Sequence, residues 1–413
     1  MARSRLLDGA GLRQVFAWQN PFRAAAGDPV SLLGANGNFP AELQVKAFCL
    51  AAAHGPGSPL VVQFSHNALK AMGEFPGSRE ADALVTGAEV ARFLLERYVG
   101  EAGGGHVAAG LDHFRVPPFP AAGDAPGASR AVRLARALVE GALEASRGVV
   151  SPEPESELEA YAAYLASPVY ADFKRTFLAV VAALQPAWAM IDTERFPPVL
   201  DFALTRDVID FTRRETGLQD TMLEAEYGAT GVSGQARPYE TLQGEDLARF
   251  AEEVACFVSY TGADGIAYPI GMEHGASSGE RHEPDEARLR AVQTRILQVA
   301  GRYVPFAQHG GTGAARLVRG LVGKNNVNTH FLAAAANGLA DRVVADGARI
   351  RAGVKEACGS GLYAGAVDAV SGATIEKLKE TGSFGTSPEL RALARPSHDF
   401  PVSPIVHKES GEG

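Results

Sequence analysis

The chain has little of several things, and each shortage excludes a class of answers. Only three of its 413 residues are cysteine, Cys49, Cys256 and Cys358, all far apart. Neither a disulfide framework nor a cysteine-ligated metal is expected, and a reducing, cytoplasmic setting is. No run of lysine and arginine occurs, none is interleaved with aromatics, and the net charge is −9, so a nucleic-acid partner is not expected. No apolar run is long enough to span a membrane, and the two arginines of Met1 to Leu7 precede no apolar segment; neither a membrane partner nor a signal peptide is expected. No internal repeat shows beyond an alternation of strand-like and helix-like stretches. What is present is 46% hydrophobic and 21% charged residues, enough for one large core spanning 1–413 as a single domain.

The most informative stretch is Tyr303-Val304-Pro305-Phe306-Ala307-Gln308-His309-Gly310-Gly311-Thr312-Gly313. It reads as a buried strand ending in a histidine and a glycine-rich turn, and the pattern from Ala314 to Leu321 predicts a helix after it. Glycines before a helix N-terminus leave N–H groups open to phosphate oxygens at the positive end of the helix dipole. Thr312 adds a hydroxyl. A histidine closing a strand is more often structural than a ligand, but three other apolar runs end in similar chemistry. His106 to Leu111 ends in Asp112-His113, Thr221 to Ala225 in Glu226-Tyr227-Gly228, and Asp264 to Met272 in Glu273-His274-Gly275.

Helical patterns such as Val199 to Glu215 and Glu286 to Val299 separate these runs, which implies parallel strands with crossover helices. Eight strands are expected: Pro29–Gly34, Pro59–Phe64, His106–Asp112, Trp188–Asp192, Thr221–Glu226, Asp264–Ile270, Tyr303–His309 and Asn325–Thr329. Eight is the number of the (β/α)8 TIM barrel, an α/β fold whose active sites gather at the C-terminal ends of the strands. Asp112, His113, Glu226, His274 and His309 would then converge. An open doubly wound sheet would want a phosphate loop after its first strand, and Ala35-Asn36-Gly37-Asn38 is a poor one.

With these residues in view, the chain resembles the class II, metal-dependent fructose-bisphosphate aldolases and their ketose-bisphosphate relatives. The resemblance rests on six segments in the family's order: Gln63-Phe64-Ser65, Leu111-Asp112-His113, Leu223-Glu224-Ala225-Glu226-Tyr227-Gly228, Met272-Glu273-His274-Gly275, His309-Gly310-Gly311-Thr312-Gly313 and Lys324-Asn325-Asn326-Val327-Asn328-Thr329. It covers about Pro29 to Val344, and more faintly Ala373 to Thr381. It implies a catalytic Zn2+ on His113, His274 and His309, with Glu226 as an alternative or second-site ligand and Asp112 as the acid/base carboxylate. Asn36, Ser65, Gly275, Gly310, Gly311, Thr312, Asn326, Asn328 and Thr329 are implied to line the substrate and phosphate site. The carbonyls of Gly275 and Gly310 are implied to hold a monovalent cation, Na+ or K+. The implied reaction is reversible aldol cleavage of a sugar phosphate, fructose 1,6-bisphosphate first and tagatose 1,6-bisphosphate or a shorter ketose phosphate as alternatives. A homodimer or homotetramer is implied as well.

The sequence departs from that family in three places. The loop after Glu226 usually carries a carboxylate for carbon–proton transfer; Gly228 to Gln235 has none, and Glu240 and Glu245 beyond it read as surface. Asn328 stands where an aspartate is usual. About 70 residues separate His113 from the fourth strand, predicting a helical hairpin, Arg130 to Ser146 and Glu155 to Ala166, inserted within about 116–170. A helical extension is expected over about 346–413, with a poorly ordered tail from Ser397. Gly100 to Gly105 reads as a flexible connector, His282 as loop surface, and His66 as a lesser candidate for substrate contact. Two other function classes stay open. A zinc hydrolase on the same barrel would want a His-x-His pair on the first strand, absent from Ser31 to Asn36; a non-catalytic sugar-phosphate-binding barrel is favoured only by the missing loop carboxylate.

Overall fold

All eight apolar runs form strands, and the strands close into one barrel. The computed structural model describes residues 6–22, 29–38, 41–103, 106–119, 130–214, 218, 220–228, 231–232, 239–276 and 279–388. The strands are β1 (Leu32–Asn36), β2 (Pro59–Ser65), β3 (His106–Arg115), β4 (Trp188–Asp192), β5 (Met222–Glu226), β6 (Gly265–Ala267), β7 (Phe306–Gln308) and β8 (Val322–Val327). Each pairs in parallel with its sequence neighbours, and β1 closes on β8 with Gly34 opposite Asn326. A parallel barrel needs a crossover between every pair of strands, which the alternating pattern supplies.

Two strands lie a few residues from their expected places, for visible reasons. The first was expected at Pro29–Gly34, but Pro29 has no N–H to give, and the Ser31 N–H goes to the Thr381 carbonyl instead of the ladder. The last was expected at Asn325–Thr329; it ends at Val327, because Asn328 turns to φ −125° and ψ −74° and becomes the cap of the following helix.

The helices are α1 (Gly9–Gln19), α2 (Ala41–Ala53), α3 (His66–Gly73), α4 (Glu80–Ala102), α5 (Arg130–Ala145), α6 (Glu155–Leu165), α7 (Pro168–Leu184), α8 (Pro198–Arg214), α9 (Gly244–Thr261), α10 (Glu286–Ala300), α11 (Thr329–Ala345), the short α12 (Gly347–Arg351) and α13 (Lys355–Cys358), and α14 (Ser360–Thr381). The inserted pair α5 and α6 pack on each other, and α5 also lies against α8 and α9. α4 runs through Gly100 to Ala102 and stops only at Gly103, which is left-handed; of the connector expected over Gly100 to Gly105, three of the four described residues are helix. The tail from Ser397 lies outside the described residues, as does most of the link before α5.

The helix expected over Ala314 to Leu321 does not form. After β7 the chain runs to β8 through turns and isolated bridges. The Ala315 N–H donates to the His282 carbonyl and the His282 N–H to that of Gly313, so this stretch pairs sideways with a neighbouring loop and forgoes the i to i−4 ladder. His282 is accordingly half-buried and structural, not loop surface.

The barrel interior is graded along its axis. Its N-terminal end is apolar: Leu32, Val61, Ala108, Trp188, Met222 and Ala307 pack with Leu12, Val15 and Phe16 of α1. That helix, capped by the Asp8 carboxylate on the Gly11 N–H, plugs the bottom. The opposite end is polar.

Candidate metal and active site

Three imidazoles meet at the C-terminal mouth of the barrel. His113, His274 and His309 each offer a ring nitrogen, and these atoms lie within 4.8 Å of one another. β3 supplies two adjacent polar residues to this point, although alternation should send Asp112 and His113 to opposite faces of the strand. A bulge resolves the conflict. Leu111 pairs with Ala189 and Phe114 with Ile191, so one extra residue sits on β3, and His113 adopts φ +46°. A left-handed non-glycine residue costs of order 1–3 kcal/mol and clusters at functional sites, and bulges re-aim side chains there.

Two of the rings, His113 and His309, are set by their far nitrogens. His113 Nδ1 lies 3.1 Å from Asp192 Oδ2, and His309 Nε2 lies 2.9 Å from Glu224 Oε1. That leaves His113 Nε2 and His309 Nδ1 facing each other at 2.8 Å. Two ring nitrogens whose opposite N–H groups serve carboxylates present lone pairs to one point, the arrangement that a cation resolves. Burial and the two neighbouring rings hold His274 down to about 2, so it is neutral and able to ligate. The donor set therefore fits a divalent metal of zinc's preference.

Below the imidazoles lies Glu226, fully buried, with neither carboxylate oxygen hydrogen-bonded among the described residues. Burial first, then repulsion from Asp192 and Glu194, pushes it well above the usual carboxylate range. A buried carboxylate without partners is costly unless a cation sits near it. Asp192, Glu226 and His113 also group within 4.8 Å, where Asp192 acts as the acceptor that orients His113.

A buried polar chain continues from His309 across the barrel. Glu224 also receives the Trp188 indole N–H and sits 3.1 Å from Lys324 Nζ. Lys324 donates to Gln63 Oε1 at 3.1 Å, Gln63 Nε2 to Asn36 Oδ1 at 2.6 Å, and Asn36 Nδ2 to Asp112 Oδ2 at 2.6 Å. Asn326 donates to the other oxygen of Asp112 at 3.2 Å. Burial alone would raise Glu224; Lys324, His309 and Trp188 outweigh it and hold the carboxylate at about 2.

The expected substrate-lining residues fall into two groups. Gly275 and Gly310 are left-handed, at φ +74° and +70°. Gly310 also has no room for a side chain, since a Cβ would lie 2.4 Å from the Glu273 carbonyl oxygen. The Thr312 hydroxyl accepts the His330 N–H, which joins the glycine turn to the N-terminus of α11, where Asn328 and Thr329 sit. So the helix end beside Thr312 is that of α11, in place of the one expected at Ala314. Ser65 caps α3, accepting from the Ala68 N–H. The second group is turned inward. Both ends of the Asn36 amide are used within the chain, and the Gly311 N–H serves the Asn326 carbonyl. His66 lies 3.2 Å from Glu80. Glu240 and Glu245 are both exposed.

Asp192, Glu224, Lys324 and Gln63 lie in segments that the sequence brings forward, but none of them was given a role from sequence. A signal existed for one: Glu224 and Glu226 are two apart on a strand and must share its face. Lys324, fully buried, has no comparable signature in an isolated sequence.

Comparison with known proteins bears on the family and the fold. The profile of the family described as fructose-bisphosphate aldolase class-II matches residues 173–386. Among solved structures, fructose-bisphosphate aldolase from Campylobacter jejuni is similar over 92% of this chain and 96% of that one, at 14% identity and a TM-score of 0.57. A putative fructose-1,6-biphosphate aldolase from Coccidioides immitis aligns over 94% of this chain and 98% of that one, at 15% identity and a TM-score of 0.45. No curated protein matches.

Proposed function

The chain belongs to the class II fructose-bisphosphate aldolases, and on that premise we propose that it is a zinc enzyme cleaving a ketose 1,6-bisphosphate, fructose 1,6-bisphosphate first, into dihydroxyacetone phosphate and glyceraldehyde 3-phosphate. As a member of that family it is a lyase acting on small sugar phosphates. The observation that carries the finer reading is the convergence of His113, His274 and His309 beside a hydrogen-bonded Asp112. These three imidazoles would hold Zn2+, with Glu226 close enough to serve as an alternative ligand. A bound Zn2+ supplies Lewis acidity, drawing off negative charge as the C3–C4 bond breaks.

The chain's own residues do the rest. Asp112 takes the proton of the C4 hydroxyl in cleavage and returns it in condensation, a contribution of order 10²–10⁴ in rate. Asn36 and Asn326 each donate to one of its oxygens, fixing the carboxylate plane while leaving lone pairs free. Gly275, Gly310, Thr312 and the α11 end at Asn328 and Thr329 would bind phosphate through backbone N–H groups and a hydroxyl. The Ser65 hydroxyl, an acceptor toward Ala68, keeps its own O–H for a substrate oxygen. This is positioning, which converts binding into correct approach.

Metal analysis of the purified protein, with chelator-sensitive cleavage of fructose 1,6-bisphosphate, tagatose 1,6-bisphosphate and shorter ketose phosphates, tests the reading. Stoichiometric zinc and chelator-reversible cleavage of fructose 1,6-bisphosphate support it. Preference for another ketose overturns the substrate, and cleavage that survives metal removal overturns the mechanism.

A further inference from the structure

A lysine with no exposure sits in the middle of the barrel, 3.1 Å from Glu224, 3.1 Å from Gln63 and 4.7 Å from the centre of the Trp188 ring. It is too deep to meet a substrate held at the mouth, and it makes no Schiff base in the proposed reaction. Its chemistry is that of a pure donor: an ammonium has three N–H groups and no lone pair. That one-sidedness fixes the direction of every hydrogen bond around it.

Toward Asp112, Lys324 forces Gln63 to present its carbonyl oxygen. The amide nitrogen of Gln63 then points to Asn36, which must receive it with Oδ1 and turn its own Nδ2 toward Asp112. Without the ammonium both amides can flip, and a flipped Asn36 would set a carbonyl oxygen against the carboxylate. Toward the imidazoles, Glu224 takes three donors on two oxygens: Lys324, the Trp188 indole and His309 Nε2. Holding the His309 proton on Nε2 leaves the lone pair on Nδ1, the atom facing His113. Gly34 keeps the space for this chain, since a Cβ there would lie 2.6 Å from Asn326 Oδ1 and 3.0 Å from Gln63 Oε1.

We infer that Glu224 and Lys324 are a positioning pair that sets the tautomer of His309 on one side and the orientation of Asp112 on the other, so that metal ligand and acid/base carboxylate share one buried hydrogen-bonded unit. The inference rests on the zinc-aldolase reading above and adds a division of labour to it. Glu224 serves the metal, and the Lys324–Gln63–Asn36 branch serves proton transfer.

Separate variants read the two branches. Glu224→Gln keeps the shape but leaves one acceptor oxygen for three donors; it is expected to lower Zn2+ affinity, measured by chelator competition, by about 10–100-fold. Gln63→Met cuts the other branch without touching Glu224 or His309. It is expected to leave Zn2+ affinity at the wild-type value and KM nearly unchanged while lowering kcat by about 100-fold. Because a lone buried charge can prevent folding, Lys324 is tested in Glu224→Gln/Lys324→Met, which carries neither charge. That double variant is expected to recover thermal stability relative to Glu224→Gln but not turnover. Wild-type Zn2+ affinity in Glu224→Gln, equal loss of affinity in Gln63→Met, or wild-type kcat in the folded double variant would each overturn the pairing. A wild-type protein that neither binds Zn2+ nor cleaves a ketose phosphate overturns the underlying reading instead.

Discussion

Asp112 is the residue on which catalysis should turn. Its two oxygens are gripped by amides, and it lies beside His113 without belonging to the imidazole set. Asp112→Asn should therefore leave zinc content intact and cut turnover by at least about 100-fold, read by metal analysis and steady-state kinetics together. Wild-type turnover would move the acid/base role elsewhere. Asp201 makes a contrasting case. It is fully buried on α8, accepts the Thr205 hydroxyl at 3.0 Å, and is raised well above the usual range, chiefly by burial. A carboxyl whose folded pKa exceeds its unfolded value of about 4 loses stability as pH rises from there toward the folded pKa. Asp201→Asn keeps the hydrogen bonds without the titration. We expect a higher thermal midpoint at neutral pH and a smaller fall between pH 4 and 7; an unchanged midpoint would show that Asp201 is not a stability liability. At this scale the sequence was legible where a motif carries its own chemistry, as with His309-Gly310-Gly311, and silent about the roles of residues that act through a partner, as with Lys324 and Gln63.

Elements were legible to the extent that local pattern governs them. α8 and α10 were read almost to the residue because their apolar spacing is helical and their outer faces are polar. The stretch from Ala314 to Leu321 has the same spacing and is not helix; at its start the Ala315 N–H is claimed by the His282 carbonyl. Tertiary pairing overrode propensity there. The bulge in β3 was equally hidden, since nothing in Leu-Asp-His-Phe says that one residue is extra. α1 was missed altogether, yet it closes the barrel floor with Phe16 against Trp188 at 5.2 Å. Phe16→Ala should cost about 3–5 kcal/mol in denaturant unfolding; a cost under about 1 kcal/mol would mean that the plug is dispensable. The loop after β5 bears on chemistry. It carries no carboxylate from Gly228 to Gln235, so exchange of the dihydroxyacetone phosphate carbon-bound proton in heavy water should be slow compared with carbon–carbon cleavage. Fast exchange that survives both Glu240→Gln and Glu245→Gln would put the base nearer the imidazoles, with Glu226 next in line.

For the whole molecule, the count of eight strand-like runs with chemistry at their ends was sufficient to anticipate a closed parallel barrel, in which residues from Asp112 to His309 meet at one mouth. Sequence alone did not reveal the gradient inside it. An apolar floor under α1 supports a buried charged layer at Glu224 and Lys324, which in turn supports the imidazoles and Asp112. Binding of a metal to the folded state alone should also stabilise the molecule by mass action. The proposed site of His113, His274 and His309 holds one catalytic metal. The most direct test of this is zinc content and fructose 1,6-bisphosphate cleavage measured side by side in the wild type and His309→Ala. One zinc per chain with activity in the wild type, and neither in a folded His309→Ala, is the predicted result; full zinc occupancy or undiminished cleavage in His309→Ala would contradict it.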